Sequence, residues 1–247
     1  MDKKESTESW IERVYNKATA PKTIIICGFA VLILYIGLVG IGVLVAALTK
    51  PPYTIWDNWI SDLGSSDHTA VPVLYDLACI FAGTLTIPIT LYLEKYLAPI
   101  PRITEELPPP HRWSYRLTGI GFFFSMIGSF FYIGVGIWSG DRAMLNGVNM
   151  HEICSFGAFG GFAFAAIFMG LALTISDRKL VPSPWNYILA AYGMHGPILV
   201  AMLNMTGIPG VSGPFLEWAL LFAILGWIVP LSLFILRHAE KLIHAGT

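Results

Sequence analysis

The chain has 247 residues, of which 55% are hydrophobic and only 13% charged, with a formal net charge of −1 and a mean hydropathy of +0.65. That is too apolar for a soluble domain of this length, and it offers nucleic acid no basic surface to hold. The three cysteines, Cys27, Cys79 and Cys154, lie inside apolar runs and have neither metal-ligand nor disulfide-framework spacing.

In chain order, residues 1–22 form a polar N-terminal segment. Ser9 and Glu12 make a capping box ahead of Trp10, Ile11, Val14 and Tyr15, which predicts a short amphipathic helix on the cytoplasmic membrane surface. Lys17 and Lys22 then lie near anionic headgroups. The first apolar run starts after about twenty residues and is longer than a leader's apolar region, so no cleavable leader is expected.

Six runs are long enough to cross roughly 30 Å of hydrocarbon at 1.5 Å per residue. They are Thr23–Leu48, Val71–Leu93, Leu117–Trp138, Ile153–Ile175, Trp185–Met205 and Pro214–Leu236. The predicted fold is all-α: one six-helix transmembrane bundle over residues 23–236, with a tail at 237–247 and no separate soluble domain. The fifth run is interrupted by Asn186, His195, Pro197 and Asn204. Pro88, Pro197 and Pro230 fall inside spans and are expected to kink them or free a carbonyl. Small residues on span three (Gly121, Ser125, Gly128, Ser129) and span four (Ser155, Gly157, Gly160, Gly161, Ala165) predict close helix packing. The connector Ala98–Arg112 is proline-rich.

Of the 15 basic residues, all but Lys50 and Arg142 fall at the termini or in the loops after spans two and four. The positive-inside rule then puts both termini in the cytoplasm, with the chain in the cell membrane.

The first outer loop reads "IWDNWISDLGSSDH" over residues 55–68. Trp56, Trp59, Ile60 and Leu63 recur at i, i+3, i+4, i+7, with Asp57, Asn58, Ser61 and Asp62 opposite. That spacing predicts a short interfacial helix capped by Thr54 and ended by Gly64. Asp76 lies about five residues into span two, His151 and Glu152 open span four, and Glu217 lies about three residues into span six, all within roughly the outer 8 Å of the bundle. Asp62, His68 and Asp141 can approach from the loops, while His195 falls near the midplane. Ionisable groups at such depth are functional candidates, because a charge in hydrocarbon needs a partner or water. The set is therefore read as an outward-facing polar pocket.

The favoured function is binding or modification of a lipid or glycolipid headgroup, with membrane lipids as partners. His151 would act as general base, oriented by Glu217 or Asp76, with Asp62 on the headgroup. His68, Glu152, His195 and Trp218 complete the candidate ligand set. The same acids and imidazole could instead hold a divalent ion, although no metal motif identifies one. Proton- or cation-coupled transport through Asp76, Glu217 and His195 is the alternative, opposed by inner halves nearly free of ionisable groups. A non-catalytic scaffold or sensor is a third reading. Haem ligation by His151 and His195 is disfavoured, since the two differ in depth by roughly 15 Å.

"ISDLG" at Ile60–Gly64, the histidine opening "HEICSFGAFGGF", and Glu217-Trp218 opening the sixth span resemble the DRAM/Sfk membrane family. A related prokaryotic membrane family shares the loop motif and the histidine. The resemblance covers most of residues 24–236, at Asp62, Gly64, His151, Glu217 and Trp218. It implies six spans with cytoplasmic termini. Eukaryotic relatives are linked to autophagy, phosphoinositide regulation and remodelling of anchored glycolipids. It assigns no catalytic role to any of these positions.

Overall fold

The structure, a computed structural model, describes residues 9–98 and 112–245. Most of the proline-rich connector, with Arg102 and His111, lies outside the described residues, as do Lys3 and Lys4. Helix α1 (Trp10–Ala18) starts at the expected capping box: Ser9 N donates to Glu12 Oε2 at 2.8 Å, and Glu12 N to Ser9 Oγ at 3.2 Å. Trp10, Ile11 and Val14 stay exposed on its apolar face. Six long helices follow: α2 (Pro21–Ala46), α3 (Val73–Leu97), α4 (Arg112–Ile137), α5 (Met150–Ile175), α6 (Trp185–Thr206) and α7 (Gly213–Ala245). All six are long and apolar enough to cross a membrane. The protein is a multi-pass integral membrane protein, and six crossings put both termini at the same end of the bundle.

The expected spans match these helices, with two informative differences. Helix α4 begins five residues earlier than its apolar run and α7 runs on to Ala245, because Arg112, Arg116, Arg237 and Lys241 are good helix formers that need not lie in hydrocarbon. Pro88, Pro197 and Pro230 each sit inside a continuous helix. The helices pack in sequence order, and α7 returns to α2 to close the ring. At the terminal end, α1 is tied to α3: Tyr15 OH donates to Glu94 Oε2 at 2.9 Å, and Lys95 Nζ donates to Thr19 Oγ1 at 2.9 Å.

The tightest pairing is α4 with α5. In lipid there is no hydrophobic drive to bring two helices together, so dispersion across a close backbone contact has to do it. Gly161 makes that contact: a Cβ there would lie 2.5 Å from Gly128 N and 2.9 Å from Phe124 O. Gly160, one residue away, has nothing within 4 Å of the same position.

The predicted loop helix takes a different form. Residues 55–58 make a turn, tied by Thr54 Oγ1 to Asp57, and only Ile60–Gly64 is helical, as a short 3₁₀ helix. The expected apolar stripe therefore splits. Ile60 and Leu63 are each 1% exposed and sink between the helix ends, whereas Trp56 and Trp59 remain over 40% exposed. Between α4 and α5, Met144–Leu145 (β1) and Val148–Asn149 (β2) form an antiparallel hairpin. Asn146 and Gly147 both have positive φ, the Asn-Gly turn that matches strand twist.

Gly161→Ala is expected to destabilise the protein by about 1–3 kcal/mol, because backbone on α4 has to move aside. Gly160→Ala should be neutral or slightly stabilising. Thermal unfolding of both variants in detergent checks the pair.

Candidate functional site

The loop end of the bundle is organised around the buried helix Ile60–Gly64. On one side of it stands Asp76, in the first turn of α3 and 7% exposed. Its Oδ2 takes an ion pair from Arg142 Nη2, and the same nitrogen reaches Ser139 Oγ at 3.1 Å and Gly136 O at 3.4 Å. Arg142 Nε donates to Ile137 O at 3.1 Å, so the guanidinium also caps the C-terminal carbonyls of α4, where a cation is favoured. Asp76 Oδ1 makes no hydrogen bond. Gly64 lies against it, where a Cβ would come 2.9 Å from both Ser139 Cβ and Tyr75 Cδ1. Only glycine fits between these three elements.

Asp141 closes the same corner from above. It accepts from Ser66 N at 3.0 Å and from Ser65 Oγ at 2.8 Å. The Ser66 amide, and after it the serine hydroxyls, hold the Asp141 carboxyl below the usual carboxylate range. Its clasp on the 65–66 backbone therefore belongs to the charged form.

On the other side of the 3₁₀ helix stands Glu217, half-buried in the first turns of α7, which accepts from Ile60 N at 3.3 Å. Trp218 is 3% exposed, and its Nε1 donates to Tyr53 OH at 3.2 Å and Asn58 O at 3.3 Å. Tyr53 OH passes its proton on to Trp59 O at 2.9 Å. Burial pushes the Tyr53 phenol up, which keeps that donor in place. Asp62 accepts from Trp59 N at 2.9 Å and lies 3.8 Å from His68 Nε2, while His68 Nδ1 is 3.4 Å from Asn58 Nδ2. Ser212 hydrogen-bonds Trp56 O, and Phe215 packs on the Trp56 ring at 5.0 Å.

The remaining candidates go elsewhere. His151 Nδ1 lies 2.8 Å from Trp138 O, which makes that nitrogen the donor and leaves Nε2 to accept from Ser155 Oγ at 3.3 Å. The expected orientation of His151 by Asp76 or Glu217 is not present, because Arg142 takes Asp76 and the Ile60 amide takes Glu217. Ser155, His151 and the Trp138 carbonyl line up as hydroxyl, imidazole and orienting group, but none of them reaches the cavity described below. Glu152 is exposed and serves the N-terminus of α5, where its amide donates to Asn149 Oδ1 at 3.1 Å. His195 is exposed on α6 and bonds the carbonyl of Ala191 in its own helix at 2.8 Å. It does not join Asp76 or Glu217, which leaves the expected proton path without its middle step. Among the described residues no three His, Cys, Asp or Glu side chains are grouped to hold a metal ion. The outer polar set thus divides among separate partners and fastens two loops to the helix ends.

A site that the sequence reading missed lies deeper. A narrow cavity with about 100 Å³ of room for the centres of water-sized spheres runs between α2, α3, α4, α5 and α7. Its walls are aliphatic and aromatic, broken by the hydroxyls of Thr86 and Ser232 and by two hydroxyl pairs. Tyr35 OH and Tyr132 OH are 2.5 Å apart near the loop end, and Thr90 Oγ1 and Ser125 Oγ are 2.8 Å apart farther down. Leu32 and Ile36 on α2 and Leu225, Ile228 and Val229 on α7 line it and are partly exposed, as are Thr86 on α3, Ser125 on α4 and Phe159 and Phe162 on α5. The available signals were the two tyrosines well inside apolar runs and Arg142, one of two basic residues among the outer acids; neither forms a local motif. Compared with protein families, with curated proteins and with solved structures, the chain gives no match.

Arg142→Ala is expected to cost about 1–3 kcal/mol by leaving a buried carboxylate unpaired, and Asp76→Asn in that background should restore part of the loss. A double-mutant cycle on thermal unfolding measures both. The sign for Asp141 follows from its lowered pKa: its contribution is full above the ordinary carboxylate value and lost as pH falls through the lowered one. The protection factor of the Ser66 amide, its exchange rate relative to the intrinsic rate at the same pH, should therefore hold at neutral pH and fall only below about pH 4.

Proposed function

We propose that this membrane protein binds a lipid inside its helical bundle, with the apolar part of the lipid in the cavity between α2, α3, α4, α5 and α7. The observation that carries the reading is a mostly apolar space lined by five membrane-spanning helices, with partly exposed lining residues on α2 and α7 where a bilayer would reach it. Ligand sites are typically concave and apolar with a few placed polar groups, and this cavity has that character. From Ala82 to Leu93 along α3 it spans about 16 Å at 1.5 Å per residue, about one leaflet's depth of hydrocarbon.

On this reading the acids and imidazoles at the loop end act as fasteners of a cover over the cavity, and the lipid contact lies below them. The resemblance to the DRAM/Sfk family at Asp62, Gly64, His151, Glu217 and Trp218 is in keeping with a lipid-handling role, because eukaryotic members are linked to lipid remodelling. The distribution of basic residues supports cytoplasmic termini.

Native mass spectrometry of protein extracted in mild detergent tests the proposal. Wild type should retain a lipid-sized mass, and Ala158→Phe or Ala82→Leu, which fill the cavity from two helices, should lose it while still unfolding cooperatively. Equal retention of the same lipid by both folded variants and wild type would overturn the reading.

A further inference from the structure

Building on the lipid-binding reading, we infer that the ligand is an uncharged lipid bearing a hydroxyl or carbonyl oxygen, held by the Tyr35–Tyr132 hydroxyl pair with its apolar body running toward Leu93 and Ile235. Two features of the cavity carry this. The first is charge. No Asp, Glu, Lys, Arg or His is among its lining residues, so an ionised group drawn in from the membrane would lose its hydration and find no counter-charge. That excludes a phosphate or carboxylate from the interior and leaves neutral molecules.

The second feature is an incomplete hydrogen-bond ledger at the tyrosine pair. Tyr35 and Tyr132 are 6% and 7% exposed, and both line the cavity. Two hydroxyls carry two protons, and only one can lie between them. The neighbour available to Tyr132 is the thiol of Cys79, which also touches Tyr75, and sulfur is a weak acceptor. The second proton therefore has no strong acceptor within the described residues. An alcohol or carbonyl oxygen at this position supplies one, and water reaches it poorly through an apolar space. The lower pair, Thr90 with Ser125, does not present the same need, because each of those short hydroxyls can also bond a carbonyl of its own helix. The geometry accordingly orients the ligand, with its polar end toward the loops and its tail toward the termini.

Diazirine-labelled probes of one chain length test this on the purified protein: a long-chain alcohol, its methyl ester, the matching carboxylate at pH 8 and the matching alkane. On wild type, alcohol and ester should label roughly three- to tenfold more strongly than alkane, the value of one hydrogen bond, and the carboxylate no better than the alkane. Tyr35→Phe and Tyr132→Phe should remove the advantage of the oxygenated probes and leave alkane labelling unchanged. If the advantage persists in both, or if carboxylate labels as well as alcohol, the neutral, tyrosine-held ligand is wrong. The cavity reading would survive that result provided Ala158→Phe still blocks labelling. If no probe labels wild type above Ala158→Phe, the lipid site itself is wrong. Should the phenylalanine variants fail to fold, the wild-type ranking of alcohol against carboxylate decides the matter alone.

Discussion

Hydrocarbon offers no hydrogen-bond partner, so every polar group that this bundle carries into the membrane has to find one within the chain or be too small to matter. His195 meets the requirement with the carbonyl of Ala191, and Thr86, Thr174 and Thr206 with carbonyls of their own helices. Asp76 meets it with Arg142, reached from a loop 66 residues later in the chain. Ser114, Thr118 and Ser129 are buried without a hydrogen bond. At Ser129 it is the partner that is small: a Cβ on Gly83 of α3 would lie only 2.6 Å from the Ser129 carbonyl oxygen. Polarity is tolerated singly in this bundle and used in pairs.

At the loop end the same requirement is met by a different device. Ile60 and Leu63 are the apolar core of a stopper, and each contributes about 1.5–3 kcal/mol by leaving water. The backbone and flanking side chains of that stopper then satisfy the acids around it: Ile60 N serves Glu217, Trp59 N serves Asp62, and Gly64 leaves room for Asp76. The residues that look like a catalytic constellation in one dimension are, in three, the means by which a loop with a short 3₁₀ helix is held on top of a membrane bundle.

The spans were legible because apolar length is a property of contiguous residues. Even span five survived its polar interruptions, because His195 is satisfied one helical turn away. The capping box at Ser9 and Glu12 and the close-packing role of Gly128 and Gly161 were legible for the same reason. What failed was inference across segments. The i, i+3, i+4, i+7 stripe at Trp56, Trp59, Ile60 and Leu63 is real as a pattern. Burial of two members and exposure of two others, however, is decided by where α3 and α7 begin. Asp76, Glu217 and His151 share a depth, and that alone suggests pairing them. Depth does not fix azimuth around the bundle, and Arg142, one of only two basic residues in the outer loops, takes Asp76 instead. The cavity was invisible for a related reason: five helices line it, and none of them alone has an unusual face.

The stopper and the cavity are mechanically one object. Tyr35 and Tyr132 lie in the same packed cluster as Tyr53, Ile60, Leu63, Tyr75 and Trp218. The ceiling of the cavity is thus the floor of the loop assembly. A route from water would have to displace Ile60 and Leu63 and break the Trp218–Tyr53–Trp59 relay together, losing burial and hydrogen bonds in one step. Between α2 and α7 the barrier is only side chains. The lining residues there, Leu32, Ile36, Leu225, Ile228 and Val229, are aliphatic, already face lipid, and lose nothing to hydration when they part. Exchange of the proposed lipid through that seam would swap one apolar contact for another, by rotamer and small helix motions. The polar residues of the loop end thus hold that end of the bundle shut, and the proposed lipid would meet its lower barrier between α2 and α7.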